Sequence, residues 1–498
     1  MMRQSQEWFL ERSREMVNLR GVLALLSWDQ ETLMPPRGSS LRAQQSAMLA
    51  GLYHEKLTEP QWADVLEELE DVNSDPWISA SVREMRRQHQ RAVRIPESLV
   101  RELAETTSLG YHVWVDARRR SDFGLFVEPL EKIVRLKREE ARCLEFSGSP
   151  YNALLDEYEP DMTTTELDAL FSVLRPKLTD LVARIGDSVV EPDSSVLQGD
   201  FPRPEQEAFG RRILTAMGFD WEAGRLDVSA HPFCSGFSPM DVRITTRYAE
   251  ESFASSLFGI VHEGGHALYE QGLGVDHFGL PAGDSISLGI HESQSRLWEN
   301  QVARGRPFWD YWYPYLKETF PGRFDTVSLD DFMPAINQVT ASLIRVEADE
   351  VTYGLHVILR YELEKSLLEG SLAVRDLDQV WKERMRDYLG VVPEQSSEGV
   401  LQDTHWSQGL IGYFPTYLLG NLYAAQMFQQ AQRDLPDLEQ LFGSGELRPL
   451  REWLREKVHV HGKIFSASEL IHRVSGEPLD SSYFLTYLET KFGDLYAL

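Results

Sequence analysis

Cysteine is nearly absent: Cys143 and Cys234 are the only two in 498 residues, too few to frame a fold of this length with disulfides. Cys143 falls in the helical stretch EKIVRLKREEARCLEF and reads as a packing residue. The start, MMRQSQEWFLERSREM, has no apolar core of the kind a secretory leader needs. The longest apolar run near it, VLALL at 22–26, is far too short to cross a bilayer. A reducing, cytoplasmic location is the expectation. Basic charge is scarce as well, and the formal net charge is −28. Such an excess of carboxylates repels phosphate backbones and offers no basic face to an anionic membrane, so neither nucleic acid nor membrane is expected as a partner. An anionic substrate would need its own local arginine or lysine. Internal repeats and low-complexity tracts are also missing.

What is present is helical periodicity over a chain long enough to bury a large core. EWFLERSREMVNLRGVLALLSW spaces Phe9, Met16, Leu19, Leu23 and Leu26 as an amphipathic helix requires. Similar patterns predict helices at 61–71, 78–92, 97–118, 164–186, 205–217, 251–271, 286–304, 331–370, 376–388, 407–432 and 447–459. Near the end, SASELIHRV and DSSYFLTYLETKF each begin with a residue able to cap a helix. Strand signals are confined to RLDVSAHPF and DVRITTRY, with the turn-like CSGFSPM between them. The expected fold is therefore mainly α: helical lobes around a groove, with a small antiparallel sheet just before the helix at 251. The whole of 1–498 reads as one domain, with a helical part to about 195 and a second part from about 205. The proline-bearing stretch DSSVLQGDFPRPEQ, 193–206, is the best linker between them.

The chemistry concentrates in IVHEGGHALYEQG, 260–272. His262 and His266 are four apart, so on a helix they share a face and can share a metal. Glu263 lies about 100° round from His262, beside a metal-bound water and not obliged to ligate. This is the H-E-x-x-H arrangement of zinc hydrolases, in which zinc lowers the pKa of its water towards about 7 and the glutamate accepts that proton. The extended form with a third histidine fails, because residue 269 is Tyr and residue 272 is Gly. A carboxylate on a following helix is the usual alternative. SLGIHESQSRLWEN supplies Glu292, with Glu299, Glu270 and Asp284 as rivals. Gly264 and Gly265 each cost the helix roughly 1 kcal/mol relative to alanine. They are expected to let the substrate or the helix of the third ligand approach closely.

At this point the chain resembles the thermostable (Taq-type) family of zinc metallocarboxypeptidases, which share an overall shape with angiotensin-converting enzyme and neurolysin. The resemblance runs nearly end to end, through WDQETLMPPRG (28–38), SPYNALLDEYEPDMTT (149–164), HPF (231–233), DVRIT (241–245), HEGGH (262–266), HESQSR (291–296), IRVEAD (344–349) and GVLQDTHW (399–406). It implies that His262, His266 and Glu292 hold the metal and that Glu263 is the general acid/base. Arg345 would grip the substrate's C-terminal carboxylate, with Arg243 as the competing anchor; an arginine fork suits a carboxylate. His405 would be a transition-state donor, with Tyr417, then Tyr413, as the oxyanion's tyrosine. His231 and Asp241 are candidates to orient a ligand histidine. Because Arg296 lies four after Glu292, the carboxylate that orients the ligand histidines must come from elsewhere. The implied activity is removal of single C-terminal residues from peptides by a homodimeric, zinc-dependent enzyme, with cobalt or manganese able to replace zinc. The alternatives are an oligopeptidase or dipeptidyl carboxypeptidase on the same scaffold, or an inactive helical peptide-binding protein.

Overall fold

The computed structural model describes residues 2–70 and 75–498. Four helices open the chain: α1 (Met2–Thr32), α2 (Ser39–Leu57), α3 (Gln61–Glu68) and α4 (Pro76–Arg94). The helix expected at 61–71 is thus shorter, and residue 71 lies outside the described residues. These helices bury a small core of their own, built on Phe9, Met16, Trp62, Leu66, Ile78 and Met85. Only the first half of the α1 stripe is buried there; Leu19, Leu23 and Leu26 stay partly covered. Further along α1, Trp28 is buried between the guanidinium groups of Arg225 and Arg243, 5.1 and 4.3 Å from the ring centre. The N-terminal helices are thereby pinned to the sheet by cation–π contact.

Everything after them shares one large core. It is built from α5 (Glu97–Arg120), α6 (Gly124–Leu144), α7 (Tyr151–Leu155), α8 (Thr164–Gly186) and α9 (Arg203–Met217), followed by the sheet. Then come α10 (Phe253–Gly272), α11 (Leu288–Arg296), α12 (Arg306–Thr319), α13 (Leu329–Ile336), α14 (Tyr353–Glu369) and α15 (Leu377–Leu389). The chain closes with α16 (Pro415–Asp434), α17 (Leu438–Gly443), α18 (Arg448–Lys457), α19 (Ala467–Ser475) and α20 (Ser482–Tyr496). Capping follows the sequence: Ser466 and Glu469 form a reciprocal box at α19, and Asp480 accepts the Ser482 N–H at the start of α20. Leu197 and Phe201, inside the stretch 193–206, are buried in the main core.

The sheet corrects one expectation. It has three strands in the order β1–β3–β2, with β1 (Gly224–Val228) parallel to β3 (Asp241–Thr246) and β2 (Cys234–Ser238) antiparallel to it. The residues CSGFS, turn-like by composition, form the middle segment of the chain path, and the reversal is confined to Pro239–Met240. Once a third strand is inserted, the first and last must run the same way. Pairing with β3 decides this against local propensity, as is common in strands.

The helix expected across 331–370 is also interrupted. Asp349 is the cause: one half-buried carboxylate accepts the backbone N–H groups of Thr340, Val351 and Thr352. An Asp side chain that satisfies three amides offers the backbone a better option than helix. The loop it ties off, between α13 and α14, carries Arg345.

Candidate active site

Two buried helices carry the triad. α10 lies against α9, the sheet and α11, and α11 packs along α16. The Oε2 of Glu292 on α11 sits 3.6 Å from His262 Nε2 and 3.5 Å from His266 Nε2. Ligands of a tetrahedral zinc at about 2.1 Å stand about 3.4 Å apart, so the two distances from Glu292 already match coordination edges of one metal, and all three ligand atoms lie within 4.8 Å of one another. These three residues form a possible metal-holding group among the described residues.

The glycines of HEGGH explain how the helices come so near. A Cβ on Gly265 would lie 2.6 Å from the Gln294 carbonyl oxygen and 2.7 Å from Ser295 Cα, both on α11. The helix of the third ligand therefore seats directly on Gly265. Gly264 differs from expectation: its missing Cβ would meet Leu214 and Met217 of α9. It faces the core, neither substrate nor α11.

Hydrogen bonds behind the histidines fix which nitrogen is free. His262 Nδ1 lies 2.9 Å from Glu299 Oε2, and an ionised carboxylate can only accept, so the Nδ1 carries the proton and Nε2 keeps its lone pair. His266 reaches its carboxylate through an intermediary. Its Nδ1 is 2.6 Å from His291 Nδ1, and His291 Nε2 is 2.8 Å from Glu270 Oε1. With Glu270 accepting from Nε2 of a neutral His291, the His291 Nδ1 must accept, so His266 donates from Nδ1 and frees Nε2. Both ligand atoms thus face Glu292 as lone pairs. The donor set fits a divalent zinc-like ion. Glu299 and Glu270 stood among the rivals for third ligand; the structure places them one layer further out, as the orienting acids. Asp284, the remaining rival, pairs with Arg20 of α1 at 2.7 Å.

The segment after α11 winds as a π-helix, Leu297–Ala303, an uncommon form found mostly near functional sites. It delivers Glu299 to His262, while Arg296 donates from Nε to Glu292 Oε1 at 2.8 Å and from Nη1 to Glu299 at 3.3 Å. That shared guanidinium, with the histidines, holds both acids ionised against the opposing pull of burial. Among the described residues, no guanidinium pairs with Glu263 in this way. Burial pushes its carboxyl up to about 7, with His262 as the main opposing influence.

A second cluster stands beside the first. Arg345 donates through Nε and Nη2 to Asp403 Oδ1 at 3.0 and 2.8 Å, and through Nη1 to Tyr353 at 3.2 Å. Asp403 Oδ2 accepts from Arg360 Nε at 2.7 Å. Tyr353 joins the clusters, since its ring lies 4.6 Å under the Arg296 guanidinium. His405 Nε2 is 3.3 Å from the Tyr417 hydroxyl, and burial pushes the His405 pKa down to about 4. The Tyr413 ring lies 5.2 Å from that of Tyr417 and tilted against it, and burial raises both phenols, with the Glu292 charge raising them further. Both tyrosines therefore stand within electrostatic reach of the triad.

Arg243 is placed differently. Asp241 takes its Nε and Nη2 at 2.9 and 3.0 Å, and Trp28 and Phe237 cover its faces. Asp241 is thus committed to Arg243, and His231 is exposed, its carbonyl accepting from Ser229. Neither orients a ligand histidine. A cavity of about 310 Å³ opens between α1 and the body that carries the triad, bounded by Arg20, Tyr158, Glu270 and Asp284.

Residues 8–492 match the family described as Carboxypeptidase Taq (M32) metallopeptidase. Thermostable carboxypeptidase 1 of Thermus thermophilus is 47% identical over 98% of both chains, and carboxypeptidase 1 of Bacillus subtilis 38% identical, again over 98% of both. Among solved structures, the M32 carboxypeptidase from Deinococcus radiodurans R1 superposes with a TM-score of 0.97 at 37% identity, covering 99% of this chain and all of that one. End-to-end matches of this kind leave one assignment: this chain belongs to the Taq-type, M32 family of metallocarboxypeptidases.

Proposed function

We propose that this metallocarboxypeptidase releases single amino acids from the C-terminal ends of peptides, with zinc held by His262, His266 and Glu292 and with Glu263 as general acid/base. The observation that carries the reading is the convergence of three candidate ligand atoms, with Glu292 Oε2 3.6 and 3.5 Å from the Nε2 atoms of His262 and His266, next to a buried guanidinium cluster. A metal bound there supplies a Lewis acid and an activated water; cobalt and manganese accept the same ligands. Glu263, buried and adjacent to His262 on α10, is placed to take a proton from that water and return it to the leaving amine.

Arg345 is the proposed carboxylate anchor. Of its five N–H groups, three are engaged by Asp403 and Tyr353, which leaves one on each terminal nitrogen. Asp403 serves two guanidiniums with one charge, so the cluster keeps a net positive charge in a chain of net −28. A peptide's terminal carboxylate would neutralise it. Tyr417 is the proposed oxyanion donor: a neutral His405 donating from Nε2 to the phenol oxygen leaves the phenol hydrogen free to point at substrate. Tyr413 is the alternative, and Arg243, locked by Asp241, is the weaker anchor.

We read the working form as a cytoplasmic homodimer. Both cysteines are free thiols, and α2 contains no buried residue while Leu41, Met48 and Leu52 stand exposed along it. Light scattering of the pure protein tests the dimer. Mass spectrometry of an N-acetylated pentapeptide digest, with and without a chelator, tests the activity. Single amino acids that disappear with chelator support the proposal; dipeptides or internal cuts would replace it with the dipeptidyl or oligopeptidase reading.

A further inference from the structure

The stretch 149–164 is absorbed by none of the roles above, yet it lies buried against both clusters. Its helix α7 and the turn after it run from Tyr151 to Glu159, and both end residues are fully buried. At one end, Glu159 accepts from the backbone N–H of Gly289 at 2.9 Å, from the Ser287 hydroxyl at 3.0 Å and from the Tyr423 hydroxyl at 3.1 Å. Ser287 is the N-cap of α11 and accepts the Ile290 N–H, so this carboxylate sits on the first turn of the helix that carries Glu292, where negative charge is favourable. The Tyr158 carbonyl adds a bond from Leu288 N–H at 3.0 Å.

At the other end, the Tyr151 hydroxyl donates to Glu364 at 2.8 Å. Glu364 also accepts from Trp406 Nε1 at 2.7 Å and Gly412 N–H at 3.1 Å, the neighbours in sequence of His405 and Tyr413. Gly412, at φ +99°, runs so close to α7 that a Cβ there would lie 2.8 Å from the Leu154 carbonyl carbon. The Tyr158 ring meets Tyr413 edge-on at 5.1 Å.

We propose that the Tyr151–Glu159 segment is a spacer that sets the metal triad and the His405–Tyr413 loop at a fixed separation, with Glu159 and Glu364 as the positioning residues at its two ends. Neither acid touches the triad, so each acts through what it holds. Glu159 governs the placement of Glu292 and hence metal retention. Glu364 governs the placement of the His405–Tyr413 loop and hence turnover. The proposal rests on the ligand set given above.

The test uses the full-length, zinc-loaded protein. Zinc stoichiometry of the parent and its loss in His262→Ala are measured first; failure there rejects the ligand set and not the spacer. Glu159→Gln keeps the shape but brings a donor to a point where three donors converge. It should raise the zinc dissociation constant about tenfold while KM of the metal-saturated enzyme stays within about twofold. Glu364→Gln should do the reverse, lowering kcat/KM about tenfold with zinc affinity unchanged. Tyr423→Phe and Tyr151→Phe remove one donor from each end, should show the same split on a smaller scale, and decide the matter if the Gln variants do not fold. If both ends change both quantities together, or only the melting temperature moves, the spacer is overturned.

Discussion

The metal cluster and the arginine cluster are neighbours, yet they are finished to different degrees. Behind the triad every ring nitrogen has a partner and each carboxylate is bonded. In the arginine cluster, by contrast, Arg360 Nη2 and His405 Nδ1 are buried with no hydrogen-bond partner among the described residues. A buried polar atom left unmatched costs about 1–3 kcal/mol, a standing cost that the groups behind the triad do not carry. The difference teaches how the labour is divided. A metal needs ligands whose tautomers are settled beforehand, whereas the proposed carboxylate site keeps polar groups unmatched for substrate.

The sharpest way to break that division is Glu263→Gln. Turnover should fall about 1,000-fold, the middle of the range for a lost general base, with zinc content unchanged by metal analysis; loss of zinc would move Glu263 into the ligand set. Next comes stability on the arginine side. Burial raises Glu364 to about 7 from an ordinary 4.5, against hydrogen bonds from Gly412, Tyr151 and Trp406 and the Arg360 charge. A carboxyl raised on folding contributes its full stability below pH 4.5 and loses it as pH climbs through 7, up to about 3 kcal/mol at about 1.4 kcal/mol per unit. Thermal unfolding from pH 5 to 8 should therefore fall more steeply for the parent than for Glu364→Gln, and parallel curves would contradict this.

Arg345→Ala should lower kcat/KM about 100-fold, as expected for a lost charge-assisted pair worth about 2–3 kcal/mol. Zinc affinity should be untouched, and C-terminally amidated peptides, already poor substrates, should lose little more. The smallest effect expected is on the metal side: Glu299→Gln and Glu270→Gln should each weaken zinc about tenfold, read by competition with a chelator. If Glu270→Gln had no effect, the chain through His291 would not set the His266 tautomer.

Most of the helices and the triad were legible because they depend on local spacing: His262 and His266 at four residues, and capping signals such as Ser466. The carboxylates behind the histidines were visible, but in the wrong role. Glu299 and Glu270 looked like rival ligands, because which acid reaches the metal and which reaches the histidine depends on how α10 and α11 cross. Asp403 and Tyr353 were not singled out, although Asp403 stands in the quoted GVLQDTHW; its pairing with Arg345 spans 58 positions, and no periodicity reports such a contact. The break between α13 and α14 was hidden for the same reason, since Asp349 acts through folded-back amides. Gly265 shows the opposite case, a local oddity whose explanation lay on another helix.

The π-helix at Leu297–Ala303 has a consequence for how this protein can vary in length. Taking out one residue between Leu297 and Glu299 would let the segment relax to ordinary α winding and carry Glu299 about 100° round the axis, away from His262. Its triad would remain spelled out in full, while one histidine lost the partner that settles its tautomer. Comparable deletions in exposed loops are absorbed by slack chain. This stretch has none, so the gene can change letters there far more readily than it can drop one.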